Sequence, residues 1–241
     1  MNCMNWTRGA LAAVGCLAAV GVAGAQDAAK PKVVKLPTKA PRGAVVLLGK
    51  NATDVAANWY QRRTTNDAGW TMDAAGVVTH PKHAYDITSK KEFGDCFIHV
   101  EFQCSADADG KPLDGGNSGV GLQGRYEIQI NNSFGKAAEM HECGAVYDRV
   151  APIVIASKKA GEWQTYDIKF TAPKVAADGA VTARPRVTVW QNGILIQDNT
   201  EIPSPTGIQY GDFKGEVAVG PIVLQGDHDV VNYRNIWVKT K

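Results

Sequence analysis

Hydrophobic and polar residues alternate most regularly between Asn117 and Asn131, read Asn-Ser-Gly-Val-Gly-Leu-Gln-Gly-Arg-Tyr-Glu-Ile-Gln-Ile-Asn. In its second half Tyr126, Ile128 and Ile130 fall on one side and Arg125, Glu127, Gln129 and Asn131 on the other, the period of a half-buried strand. The first half places Gly119, Gly121 and Gly124 among short residues, where the backbone can turn or let another group come close. A second alternating run, Phe93 to Cys104, puts Cys96, Ile98, Val100, Phe102 and Cys104 on one face and Phe97, His99, Glu101 and Gln103 on the other. If these two strands pair across the polar, Gly-rich loop Ser105 to Gly116, Glu101 and Glu127 look out from one surface.

Shorter runs read as strands at Gly43 to Leu48, Asn58 to Arg63, Trp70 to Thr79 with a turn at Asp73 to Gly76, Trp163 to Thr171, and Arg184 to Gln191. Others follow at Ile194 to Asp198, Pro221 to Gln225 and Tyr233 to Lys239, and Asn192-Gly193 is a strong hairpin signal. No long amphipathic helix stands out. Many short strands with regularly spaced turns predict an all-β sandwich or jelly roll of two curved antiparallel sheets.

The ends and the composition refine this picture. Arg8 closes a polar start, Gly9 to Val22 is apolar, and Ala23-Gly24-Ala25 suits signal peptidase, so residues 1–25 read as a signal peptide of an exported protein, periplasmic or extracellular. A lipobox reading of Ala13 to Cys16 is disfavoured, because the apolar run continues past Cys16. Residues 26–42, rich in Ala, Lys and Pro, read as a flexible linker, and residues 43–241 as one domain. No later run approaches the roughly 20 apolar residues of a membrane span. A net charge of +2 gives no reason to expect nucleic acid as a partner.

Cys96, Cys104 and Cys143 remain beyond the leader. Cys96 and Cys104 would lie about 26 Å apart on one strand, so a single bridge would use Cys143; three buried thiols are the other reading.

A set of ordered motifs then narrows the field: Phe93-Gly94-Asp95 with Ile98 to Phe102, Asn117-Ser118-Gly119, Gly124 to Gln129, Cys143 to Tyr147, Gly161 to Asp167, Asn192-Gly193, Leu224 to His228 and Tyr233 to Trp237. Together they resemble the 3-keto-disaccharide hydrolase family. That resemblance implies a concanavalin A-like jelly roll, and action on glycosides already oxidised to a ketone at C3 of the sugar. The chain departs at Asp229-Val230, where the family often carries Gly-Pro, so the loop around His228 is expected to be shaped differently.

A ketone at C3 acidifies the C2 proton, so one base can expel the glycosidic oxygen by elimination, and hydration of the enone completes a net hydrolysis. Such a site needs a base, an acid for the leaving oxygen, and a donor or divalent metal for the enolate. His228 is the expected base, with Asp227 orienting its ring, and Glu127 and Glu101 are the expected carboxylates. Asn117, Arg125, Gln129 and Gln225 are read as hydroxyl-binding groups, and Tyr147 and Trp163 as stacking rings. No metal-ligand set is assigned. Gln129 and Asn131 cannot ionise, so a two-carboxylate glycosidase built on this strand alone is disfavoured. A non-catalytic carbohydrate-binding module, or a glycosidase with acids on different strands, are the alternatives.

Overall fold

A computed structural model describes residues 31–64 and 66–241. The strands are β1 Val45–Leu48, β2 Trp59–Gln61, β3 Thr71–Met72, β4 Val78–Thr79, β5 Ile87–Phe93, β6 Cys96–Cys104, β7 Ser118–Leu122 and β8 Tyr126–Ile130. They continue with β9 Gln164–Thr171, β10 Lys174–Val175, β11 Val181–Ala183, β12 Arg186–Gln191, β13 Ile194–Glu201, β14 Gly220–Leu224 and β15 Val231–Thr240. One short helix, α1 Asp54–Asn58, follows β1.

Two antiparallel sheets face each other as an all-β, concanavalin A-like jelly roll. The larger has eight strands in the order β13-β12-β9-β6-β15-β4-β3, with β1 also on β15, and the smaller has five in the order β2-β5-β14-β7-β8. Alternation decides what lies between them. Ile98, Val100 and Phe102 of β6 and Tyr126, Ile128 and Ile130 of β8 are fully buried. Tyr126 reaches across to Phe170 with ring centroids 5.9 Å apart. Each such side chain contributes roughly 1.5–3 kcal/mol on leaving water. The hairpin at Asn192-Gly193 forms with φ of 54° and 79°, which Asn and Gly tolerate best.

Three expectations are corrected. β6 and β8 do not pair: β6 lies between β9 and β15 in the larger sheet, and β8 pairs with β7 in the smaller. Their polar faces therefore point out of opposite sides of the sandwich, and Glu101 does not share a surface with Glu127. β8 is buried on both sides, not half-buried, because the loops that follow it fold back over its outer face. The expected flexible linker is tethered to the domain from Val33 onward, though most of its side chains stay exposed: Val33 bridges Ile194, Val34 N donates to Gly193 O at 2.8 Å, and Thr38 O accepts from Asn235 and Trp237. Residues 1–30, with the expected signal peptide, Cys16 and the start of the linker, lie outside the described residues. Cys96, Cys104 and Cys143 are free and buried, and Cys143 Sγ lies 3.0 Å from Tyr166 Oη.

Candidate active site

Glu127 sits on the outer face of the smaller sheet, and its neighbours explain why a carboxyl is tolerated there. β7 carries glycine at Gly119 and Gly121 on that face. A Cβ at Gly119 would lie 2.4 Å from Glu127 Oε1, and one at Gly121 would lie 2.8 Å from Ile208 Cδ1. The first glycine makes room for the carboxyl and the second for the roof above it. That roof, residues 205–216, is pinned to β8: Thr206 N donates to Arg125 O at 2.8 Å, and Glu127 N donates to Thr206 Oγ1 at 3.0 Å. Arg125 donates from Nε to Gly215 O at 2.5 Å and lies 5.4 Å from the Phe213 ring centroid. Its guanidinium therefore holds the roof, contrary to the expectation of a sugar-binding arginine.

The exposed edge of β8 is covered by the Cys143 to Tyr147 motif. Gly144 N donates to Gln129 O and Tyr147 N to Glu127 O, so the motif runs along the strand and delivers Tyr147 to the site.

Under the roof is a cavity of about 170 Å³ lined by Glu127, Asn117, Tyr147, Tyr210, Gln225 and His228, with Gly207 at its top. Glu127 is only 3% exposed. Burial, reinforced by the charges of Asp86 and Asp227 and opposed by Arg62, pushes its carboxyl up to about 8. With the Gln129 amide turned so that its nitrogen faces two acceptors, that nitrogen donates to Glu127 Oε1 at 3.0 Å and to Ser118 O at 2.9 Å. A neutral carboxyl fits that bond: the carbonyl oxygen accepts and the other oxygen keeps its proton.

The rim comes from the turn after β14. Gln225 donates to the Tyr210 hydroxyl at 2.9 Å, which leaves the Tyr210 proton free to be donated elsewhere. Burial and the charges of Asp227 and Asp86 raise the Tyr210 pKa, so the phenol keeps that proton. Gln225 Oε1 is buried with no partner among the described residues, an acceptor that a sugar hydroxyl would satisfy. His228 is 42% exposed at the mouth, and its Nε2 lies 3.6 Å from Asp227 Oδ1, longer than a hydrogen bond. Asp227 thus acts on Glu127 through its charge and does not fix the His228 ring.

Tyr210 also borders a neighbouring cavity of about 120 Å³ formed by Arg62, Arg63, Tyr85, Asp86 and Asp227. No motif along the chain points to this cavity. Arg62 and Asp86 form a buried pair at 2.8 Å, and Asp86 Oδ1 accepts from Gly226 N at 2.9 Å. Arg62 also donates to Asp212 at 2.9 Å and to Ile208 O at 2.6 Å. One ion pair therefore ties the roof carrying Tyr210 to the turn carrying Gln225 and His228.

Of the expected site residues, Glu127, Gln129, Asn117, Tyr147, Gln225, Asp227 and His228 are brought together. Glu101 and Trp163 are not. Glu101 is held by Arg234 at 2.6 Å and Asn235 at 2.7 Å on the far face, and Trp163 stacks under Arg234 at 3.9 Å. Tyr210, Arg62 and Asp86 were missed, although glycines at alternate positions of Ser118 to Leu122 do signal a close approach at one strand face. Among the described residues no group of three or more His, Cys, Asp or Glu side chains is arranged to hold a metal ion.

A family model described as a 3-keto-alpha-glucoside-1,2-lyase-like domain matches residues 43–239. The chain belongs to this family. A candidate glycosyl hydrolase from Parabacteroides distasonis is 34% identical, with 84% of this chain and 85% of that chain covered and a TM-score of 0.71. A second candidate glycosyl hydrolase from the same organism is 22% identical, with 83% and 100% covered and a TM-score of 0.57, a likeness of fold. No curated protein matches the chain. Membership in the 3-keto-alpha-glucoside-1,2-lyase-like family makes this a carbohydrate-active, glycosyl hydrolase-like enzyme.

Proposed function

We propose that this enzyme cleaves 3-keto-glycosides by proton abstraction at C2, with His228 as the base and Glu127 as the acid. The observation that carries the reading is the placement of a carboxyl raised to about 8 in the same cavity as an exposed imidazole. The buried carboxyl keeps a proton to give at neutral pH, and the imidazole at the mouth of the same cavity offers a ring nitrogen to take one.

His228 removes the C2 proton, and that electron pair becomes the C1=C2 bond as the C1–O bond breaks. The leaving oxygen takes the Glu127 proton. The Tyr210 hydroxyl, its oxygen already accepting from Gln225, donates to the C3 oxygen as negative charge builds there. Gln225 Oε1 and Asn117 hold sugar hydroxyls, and Tyr147 closes one wall. The enone is the product of a lyase. Water adding at C1, with a proton returned to C2, converts it to the free 3-keto sugar and makes the net reaction a hydrolysis. The apolar leader supports placing this chemistry in the periplasm or outside the cell.

The test is to offer the purified protein an α-glucoside and its 3-keto form, and to repeat the assay with His228→Ala and Glu127→Gln. Cleavage of the keto form alone, lost in both variants, is expected. Equal cleavage of the unoxidised glucoside, or full activity in either variant, contradicts the reading.

A further inference from the structure

Glu101 and Trp163 lie outside the Glu127 cavity, and the surface around them has its own construction. On the outer face of the larger sheet is a cavity of about 690 Å³, within the range of small-ligand sites. Its floor is a β-bulge: Glu101 pairs with Arg234 and His99 with Trp237, so Asn235 and Ile236 oppose one residue of β6. Asn235 takes φ 47° there. One wall is the strap Thr38 to Ala40, tied down where Thr38 O accepts from Asn235 Nδ2 at 2.8 Å and from Trp237 Nε1 at 3.1 Å. The other wall is two turns, Gly49-Lys50 and Ala75-Gly76, packed so closely that a Cβ at Gly76 would lie 2.9 Å from Gly49 O.

Among the lining residues the charges are uneven: Lys39, Lys50 and Arg234 face a single acid, Glu101, while Asp54 and Asp73 behind the wall turns accept from backbone amides of Gly49, Ala75 and Val77. Glu101 is already occupied by Arg234 Nε and Asn235 Nδ2. Arg234 is stiffened by the Trp163 ring beneath it, and among the described residues its terminal Nη groups have no hydrogen-bond partner. Two ammonium groups and the end of a fixed guanidinium are a receptor for anionic oxygens. The ionised Glu101 beside them disfavours a bare anion and favours a ligand whose body is neutral and rich in hydroxyls.

We propose that this cleft is a second carbohydrate site that binds an acidic saccharide, its carboxylate or sulfate oxygens against Lys39, Lys50 and Arg234 and its hydroxyls against Asn235 and Thr38. The site is independent of the reaction assigned to the Glu127 cavity, because it lies on the opposite face of the sandwich.

Calorimetry on the full chain with tri-galacturonate, a sulfated disaccharide and neutral cellotriose tests it. Binding of at least one acidic saccharide is expected, weakening with added salt and falling about tenfold or more in the Lys39→Glu/Lys50→Glu variant. That variant keeps full turnover of a 3-keto-glucoside, and Glu127→Gln keeps full binding of the acidic saccharide. If the keto-sugar assay fails for every form while this binding persists, the reaction assignment fails and the second site stands. No binding of either acidic sugar at millimolar concentration, equal binding of cellotriose, or indifference to the lysine replacements overturns the proposal.

Discussion

The carboxyl of Glu127 occupies the space that a side chain at position 119 would fill: a Cβ on Gly119 would lie 2.4 Å from Oε1 and 2.9 Å from Cδ. Gly119→Ala therefore displaces the proposed acid while removing nothing. The expected result is a fall in kcat of about 100-fold with the fold retained, since small misplacements of reacting groups have that effect. Kinetics and circular dichroism on the variant check it, and an unchanged kcat would show that the Glu127 carboxyl does not take part.

Glu127 also sets a pH dependence whose sign is fixed. Its carboxyl is raised from an ordinary 4.5 to about 8 by burial and by Asp86 and Asp227. Between those values the folded chain holds a proton that the unfolded chain releases, so this group lowers stability progressively as pH rises from about 4.5 through about 8. Glu127→Gln cannot ionise, and its Tm relative to the parent should climb across that window. Turnover by the parent should decline as pH rises through about 8, as the acid loses its proton. A Tm difference that is flat with pH would contradict the raised carboxyl.

Tyr210 offers a hydroxyl whose oxygen is already engaged by Gln225. Tyr210→Phe removes the proposed donor to the C3 oxygen and should cost about 100-fold in kcat with little change in KM. Steady-state kinetics on the keto substrate measure both.

The Arg62–Asp86 pair is 4% and 5% exposed, so removing one partner strands a buried charge. Arg62→Met should destabilise by about 3–5 kcal/mol in urea denaturation. Arg62→Met/Asp86→Asn, which removes both charges, should recover much of that loss. Equal destabilisation in the single and double variants would mean that the electrostatic pairing is not what holds the roof to the turn.

Glu101 separates structure from chemistry. Burial alone would raise its carboxyl, but the His99 ring 3.6 Å away and hydrogen bonds from Asn235 and Arg234 outweigh it and hold it down at about 2. The stability it contributes is present above its ordinary 4.5 and is lost as pH falls toward about 2. Glu101→Gln should therefore lower Tm at neutral pH, by an amount that shrinks on acidification, while kcat for a 3-keto-glucoside stays the same.

Much of the fold is legible in the chain because alternation reports which residues face the interior: Ile98, Val100 and Phe102 on β6, and Tyr126, Ile128 and Ile130 on β8. Alternation does not report partners, so the pattern alone cannot tell that Glu101 and Glu127 lie in different sheets. β5 escaped because Ser89, Lys90, Lys91 and Glu92 interrupt its apolar pattern, although Ser89 is buried. β7 read as a glycine loop because its glycines serve the groups packed on them, Glu127 and Ile208, and not the strand itself. The site was legible where its residues fall in motifs, as Glu127, Gln225 and His228 do. It was not legible at Arg62, Asp86 and Tyr210, which meet only through the tertiary fold.

Every step of the proposed chemistry depends on the C2 proton leaving the sugar. A 3-keto-α-glucoside carrying deuterium at C2 tests this most directly, with the sugar product analysed by mass spectrometry. The proposed route predicts slower turnover than the protiated substrate and loss of the label from the product. Full retention of deuterium at C2, with turnover at the unlabelled rate, would contradict it.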